Sequence, residues 1–213
     1  MSSPSLTTTS YAVLGLLSIK PWSSYELTQQ MDRSLGRVWP RAVSKLYEEP
    51  KKLASHGLAR SATQQNGRQR RTVYTITAKG RRALAEWLHQ PGDGPALEFE
   101  QLLKVFFAEN GTTADLLATL AAAQAWARAR CAESLAIGEQ YGSGGGPFPE
   151  RLPELQLTSR FLTDFYLLVG QWARWAATIV ETWPDDPRQA KHDPEVIAEI
   201  VRRAADGAKP PGG

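Results

Sequence analysis

The chain has 213 residues, of which 42% are hydrophobic and 22% charged, enough apolar material for a packed core and too much for wholesale disorder. Its longest apolar run, Tyr11 to Ile19, is too short to span a bilayer and lacks the basic start and cleavage site of a secretory signal, while the single cysteine, Cys131, excludes an internal disulfide or a cysteine-rich metal site and points to a reducing cytoplasm. The net charge of +3 divides unevenly: residues 1–90 carry 14 basic and 5 acidic side chains (+9), and residues 91–213 carry 11 and 17 (−6), so the front half is suited to a polyanion.

In chain order, Thr7 to Ser10 offer hydroxyls that can cap a helix. The apolar run behind them predicts a short buried helix with Tyr11, Leu14 and Leu17 in its core, stopped at Lys20-Pro21. Ser23 and Glu26 have capping-box spacing, so a second helix should begin near Ser24 and end at Gly36. The segment VWPRAVSKLYEEPKKLASHG predicts a third. Val43, Leu46, Pro50 and Leu53 share one face. Arg41, Ser44, Lys45, Glu48, Lys51 and Lys52 occupy the other, with Tyr47 at the boundary. Pro50 removes a backbone hydrogen bond and should kink this helix. Trp39 reads as an anchor for the turn that precedes it, and Gly57 as the stop.

Two strands are expected next, Leu58 to Thr63 and Thr72 to Thr77, joined by the turn-rich loop QQNGRQRR. Thr77 then caps a further helix. This order is that of a winged helix-turn-helix with a two-stranded wing. PGDGP, residues 91–95, is a break. Beyond it an all-helical region is expected: LEFEQLLKVFFAEN, a long segment from Thr113 to Glu139, and residues 154–182 with Phe161, Phe165, Leu168, Trp172 and Trp175 along one side. Residues 142–153 read as the most flexible internal stretch. Asp193 caps a last helix. The fold class is therefore mainly α, with domains at 1–90 and 96–206 and a loose tail at 207–213.

A third helix with an exposed Arg/Ser/Lys side can enter a major groove. A projecting hairpin that carries Arg68, Arg70 and Arg71 suits the neighbouring backbone, because the guanidinium fork grips phosphate oxygens and stays charged. The expected partner is double-stranded DNA. The alternative is a winged-helix module that holds an acidic protein on the same surface.

The blocks LGLLSIKPWSSYEL, GRVWP, SKLYEEPKKLASHGLA and RRTVYTITAKGRRAL, in that order, resemble the PadR family of transcriptional regulators. FEQLLKVFFAE and the helices after it resemble, more loosely, the longer subgroup with a C-terminal helical dimerisation region. The resemblance implies a homodimer on a palindromic operator, acting as a repressor. It places Ser44, Lys45 and Tyr47 among the recognition-helix contacts, Lys51 one turn on, and Arg68, Arg70 and Arg71 in the wing. The family commonly has proline directly after the tyrosine, where this chain has Glu48 and Glu49 before Pro50. Those carboxylates repel phosphates; they either accept from a cytosine amino group or face solvent.

Seven tryptophans are a high content. Some PadR-like regulators release DNA when an aromatic compound binds, and Trp126, Trp172 and Trp175 are the candidates to stack on such an effector. The same stripe also reads as core or dimer interface. His56, His89 and His192 are scattered, and GSGGG lacks the lysine of a phosphate loop. No catalytic set, metal site or cofactor is expected.

Overall fold

The structure, a computed structural model, describes residues 6–40, 43–66 and 69–209. It divides into two compact units, Met1–Pro95 and Ala96–Gly213.

In the N-terminal unit, α1 (Thr8–Ile19) begins at Thr7, whose hydroxyl and amide exchange hydrogen bonds with Ser10 in a capping box. Val13, Leu14, Leu16 and Leu17 are buried; each such side chain removed from water contributes about 1.5–3 kcal/mol. Tyr11 stacks on Trp87 of a later helix with ring centroids 5.0 Å apart. Trp22 then donates its indole N–H to Leu16 O at 2.9 Å, which fixes the chain as it leaves α1.

Trp22–Ser23 is a short strand, β1. Ser23 is also the N-cap of α2 (Ser24–Gln30), with Glu26 completing the expected box. A wider π turn, Met31–Leu35, carries the chain to Gly36. Helix α3 (Val43–Ser55) continues through Pro50, whose ring is buried with Leu46 and Leu53. The pyrrolidine costs one backbone bond, but its carbons replace a core side chain on the inward face.

The hairpin is longer than the sequence suggests. Strands β2 (Ala59–Asn66) and β3 (Gln69–Ile76) pair antiparallel in a register that runs from Ala59↔Ile76 to Asn66↔Gln69. The segment expected as a loop is largely paired strand. Gln64, Gln65, Arg70 and Arg71 have weak strand propensity, but every ladder rung satisfies backbone groups already brought together by the rung before it. The two-stranded wing belongs to a larger sheet: β1 joins β3 in a three-stranded sheet of order β1-β3-β2. Two residues are too few to give a period-2 signal, so β1 is invisible to patterning.

Helix α4 (Ala78–Leu88) starts at Thr77, whose hydroxyl accepts from Gly80 N and donates to Gly57 O at 2.8 Å. Gly80 is required here by close approach: a Cβ at this position would lie 2.1 Å from Leu58 O.

The C-terminal unit holds α5 (Glu100–Phe106), α6 (Thr113–Gly142), α7 (Leu152–Val180) and α8 (Pro194–Gly207). Its core lies between α6 and α7, where Leu116, Leu120, Ala123 and Ala127 meet Val169, Ala173 and Val180. Small residues let the two backbones come close, and a Cβ on Gly170 would sit 3.2 Å from the Ala127 methyl. Across the glycine-rich connection, Tyr141 donates its hydroxyl to Pro147 O at 2.8 Å. Asp193 caps α8 as expected, and none of the α8 residues is buried. No described helix is long and apolar enough to cross a membrane.

Candidate nucleic-acid interface

Helix α3 presents Lys45, Glu48 and Lys51 outward, with Tyr47 half-buried at the edge. Arg41 and the Ser44 side chain, both expected on this face, lie outside the described residues. Glu48 and Lys51 form an exposed ion pair at 2.9 Å. That hydrogen bond holds the Lys51 ammonium above its usual pKa, so Lys51 stays charged and is partly occupied by its neighbour.

Glu49 behaves differently from Glu48. Its carboxylate turns inward and accepts a hydrogen bond from Ser10 Oγ of α1. Its side chain is 13% exposed, and Lys52 Nζ lies 3.8 Å away. Of the two acidic residues that replace the family pattern, only Glu48 faces solvent. An open groove is lined by Thr7 to Thr9 of the α1 start, Trp39, and Lys45, Glu48 and Glu49 of α3.

The two described wing arginines do not act as one cluster. Arg68 lies outside the described residues. Arg70 pairs across the hairpin with Gln65, and Arg71 with Gln64. Successive strand residues point to opposite faces, so Arg70 and Arg71 diverge. Arg71 Nη1 reaches Glu26 Oε1 of α2 at 3.1 Å. The Glu26 carboxyl sits below its ordinary value, chiefly through the Ser23 backbone and hydroxyl donors, with Arg71 adding a smaller attraction against the opposing effect of burial. Arg71 is thus a strut between wing and α2, a role the sequence could not show because its partner lies 45 residues away. Arg70 is exposed on the other face.

In the C-terminal unit the three tryptophans have different surroundings. Trp126 of α6 packs edge-on against Tyr166 and Phe165 of α7, at 5.5 and 6.4 Å. Trp172 packs edge-on against Phe99 at 5.8 Å. Trp175 is 40% exposed. The stripe read along α7 lies mostly off the α6 contact: Phe161, Leu168 and Trp175 are exposed, while Tyr166, Val169, Gly170 and Ala173 are buried. Phe165 and Trp172 of the stripe do pack against the α6–α7 core, beside the smaller Gly170 and Ala173.

Comparison with known proteins decides the class of the N-terminal unit. Residues 13–86 match the transcriptional regulator PadR-like family. The N-terminal unit belongs to the PadR-like family. Over 100 residues the chain is 35% identical to the negative transcriptional regulator PadR of Bacillus subtilis, covering 46% of this chain and 54% of that protein. The match thus spans about half the length of that curated relative. The crystal structure of B. subtilis PadR with operator DNA superposes with a TM-score of 0.72 at 22% identity, covering 82% of this chain and 99% of that one. The same protein with p-coumaric acid gives a TM-score of 0.64 at 20% identity, covering 82% and 99%. At these identities the likeness shows the fold. Within this unit α3 takes the place of the third helix of a winged helix-turn-helix, and the β2–β3 hairpin that of its wing.

Proposed function

We propose that the chain is a cytoplasmic, sequence-specific DNA-binding regulator that represses transcription as a homodimer. The observation that carries this is the outward face of α3, with Lys45 and Tyr47, in the same PadR-like unit as a wing bearing an exposed Arg70. Lys45, Tyr47 and Ser44 read base edges in the major groove, with Arg41 beside them. Lys51, Arg68 and Arg70 grip phosphates. Base-edge contacts give preference among sequences, whereas phosphate contacts give affinity and salt dependence. One recognition helix reads few base pairs, so two copies on a palindromic site supply the specificity.

The apolar side chains left exposed on the C-terminal unit support self-association. Phe161, Leu168 and Trp175 on α7, with Leu103, Phe106 and Phe107 near α5, offer more hydrophobic surface than a solitary unit keeps. Trp126, Trp172 and Trp175 remain the candidates for a small aromatic effector, supported by the p-coumaric acid complex of the B. subtilis relative. Such a ligand releases DNA only by binding the DNA-free form more tightly.

The test is selection from a random-sequence duplex library, followed by binding of Lys45→Ala and Tyr47→Phe to the selected operator. Each substitution should change the ranking of operator variants, by about 1–3 kcal/mol for a lost base contact. Uniform weakening across all sequences would remove both residues from base readout. Failure to enrich any duplex would favour the module that binds an acidic protein.

A further inference from the structure

Helix α1 is tied to α3 and to the segment ahead of it. Trp39, just ahead of α3, donates its indole N–H to Thr9 Oγ1 at 3.1 Å. Seven residues into α3, Glu49 accepts from Ser10 Oγ. Ser10 is fully buried. Its hydroxyl oxygen also receives the Thr7 backbone N–H at 3.0 Å and lies 3.2 Å from the Thr7 hydroxyl. A continuous chain of polar contacts therefore runs from the N-cap of α1 through Ser10 and Glu49 to Lys52. The two ties start from neighbouring residues of α1, Thr9 and Ser10; the Ser10 tie acts on α3 itself at Glu49, and the Thr9 tie acts on Trp39 in the segment ahead of it.

A carboxylate on the reading helix of a DNA-binding unit is costly beside phosphates unless it is turned away or used. Glu49 is turned away: it is mostly buried and engaged by Ser10 and Lys52, while Glu48 one residue earlier is exposed. We infer that Glu49 is a positioning residue for sequence readout, locking α3 to the capped end of α1 so that Lys45 and Tyr47 present to base edges at one angle. This rests on the DNA-binding reading above. Glu49 makes no base contact itself. Its loss lets α3 roll, which disturbs the short, directional base-edge contacts first. Phosphate contacts tolerate small displacements because they act through charge.

The test uses the full chain and three variants, Glu49→Gln, Glu49→Leu and Ser10→Ala, with the double variant Ser10→Ala/Glu49→Leu, each checked for native circular dichroism. Affinity is measured for the operator selected by the wild type and for a random-sequence duplex of equal length. Glutamine keeps an oxygen that accepts from Ser10, so Glu49→Gln should stay within about twofold of wild type for the operator. Glu49→Leu should lose roughly tenfold in operator affinity with little change for the random duplex, narrowing the specificity ratio. Ser10→Ala should show the same narrowing, and the double variant should lose no more than the worse single one. Equal loss on both duplexes, or additive effects in the double variant, would each overturn the inference. A wild-type chain that selects no duplex overturns the DNA-binding reading itself, and this inference with it; that arm separates the two failures.

Discussion

Arg71 of the wing and Glu26 of α2 form an ion pair at 3.1 Å, joining two elements that are 45 residues apart in the chain. Glu26 also receives the Ser23 backbone N–H and hydroxyl, both at 2.8 Å. One carboxylate therefore caps α2 and braces the hairpin. Its pKa is lowered in the fold. A depressed carboxylate contributes stability that is present above its ordinary value of 4.5 and is lost as pH falls through the lower folded value. Wild type should therefore exceed Glu26→Gln in stability near neutral pH, by no more than about 0.5–1 kcal/mol for so exposed a pair. That advantage should shrink as pH falls below 4.5. Denaturant midpoints at a series of pH values check this, and a pH-independent gap would remove the charged Glu26 from the account.

The two described wing arginines should separate in a salt titration. Arg70→Ala should remove a phosphate contact and flatten the log–log salt slope of operator binding by about 0.9. Arg71→Ala removes a strut and should lower thermal stability while changing the slope less. Equal slope changes in both variants would place Arg71 on DNA rather than on Glu26.

Gly80 should not tolerate a methyl group. A Cβ there meets the Leu58 carbonyl at 2.1 Å, a contact with backbone that cannot rotate away. Gly80→Ala should destabilise the N-terminal unit by roughly 1–3 kcal/mol, read by urea unfolding. The ordinary gain in helix propensity on replacing glycine by alanine is about 1 kcal/mol and runs the other way, so a stabilised variant would contradict the packing described.

What the sequence made legible was the punctuation. The Ser23–Glu26 box, the Thr77 and Asp193 caps and the Gly57 stop are local signals, because the hydroxyl or carboxylate and the amide it serves lie within three residues of each other. The wing was misjudged at its tip. Charged and amide side chains look like loop, yet Gln64, Gln65, Arg70 and Arg71 continue the ladder from the better strand formers below them. Glu49 was equally hidden: from sequence it and Glu48 are interchangeable, and only the proximity of Ser10, 39 residues earlier, turns one of them inward. On α7 the bulky stripe reads as core or dimer interface, and its residues divide: Phe165 and Trp172 pack on the α6–α7 core, Phe161, Leu168 and Trp175 are exposed, and the buried Gly170 and Ala173 carry no signal of bulk.

The exposed row on α7 predicts self-association. Phe161 and Leu168 are 60% and 61% exposed, so a charge at either should leave the α6–α7 core intact. Phe161→Glu/Leu168→Glu should keep its helical circular dichroism but run as a monomer in light scattering at micromolar concentration, where wild type should run as a dimer. Unchanged mass would move the dimer contact elsewhere.

The central claim is that α3 and the wing grip a duplex, and salt-dependent operator binding tests it most directly. Measured by fluorescence anisotropy on a duplex selected from random sequence, the affinity of the wild-type chain should fall log-linearly with salt. The slope should be about −0.9 for each phosphate neutralised, and the selected site should hold at least roughly a 10³-fold advantage over random DNA. Absence of binding at low ionic strength, or equal affinity for selected and random duplexes, would contradict it.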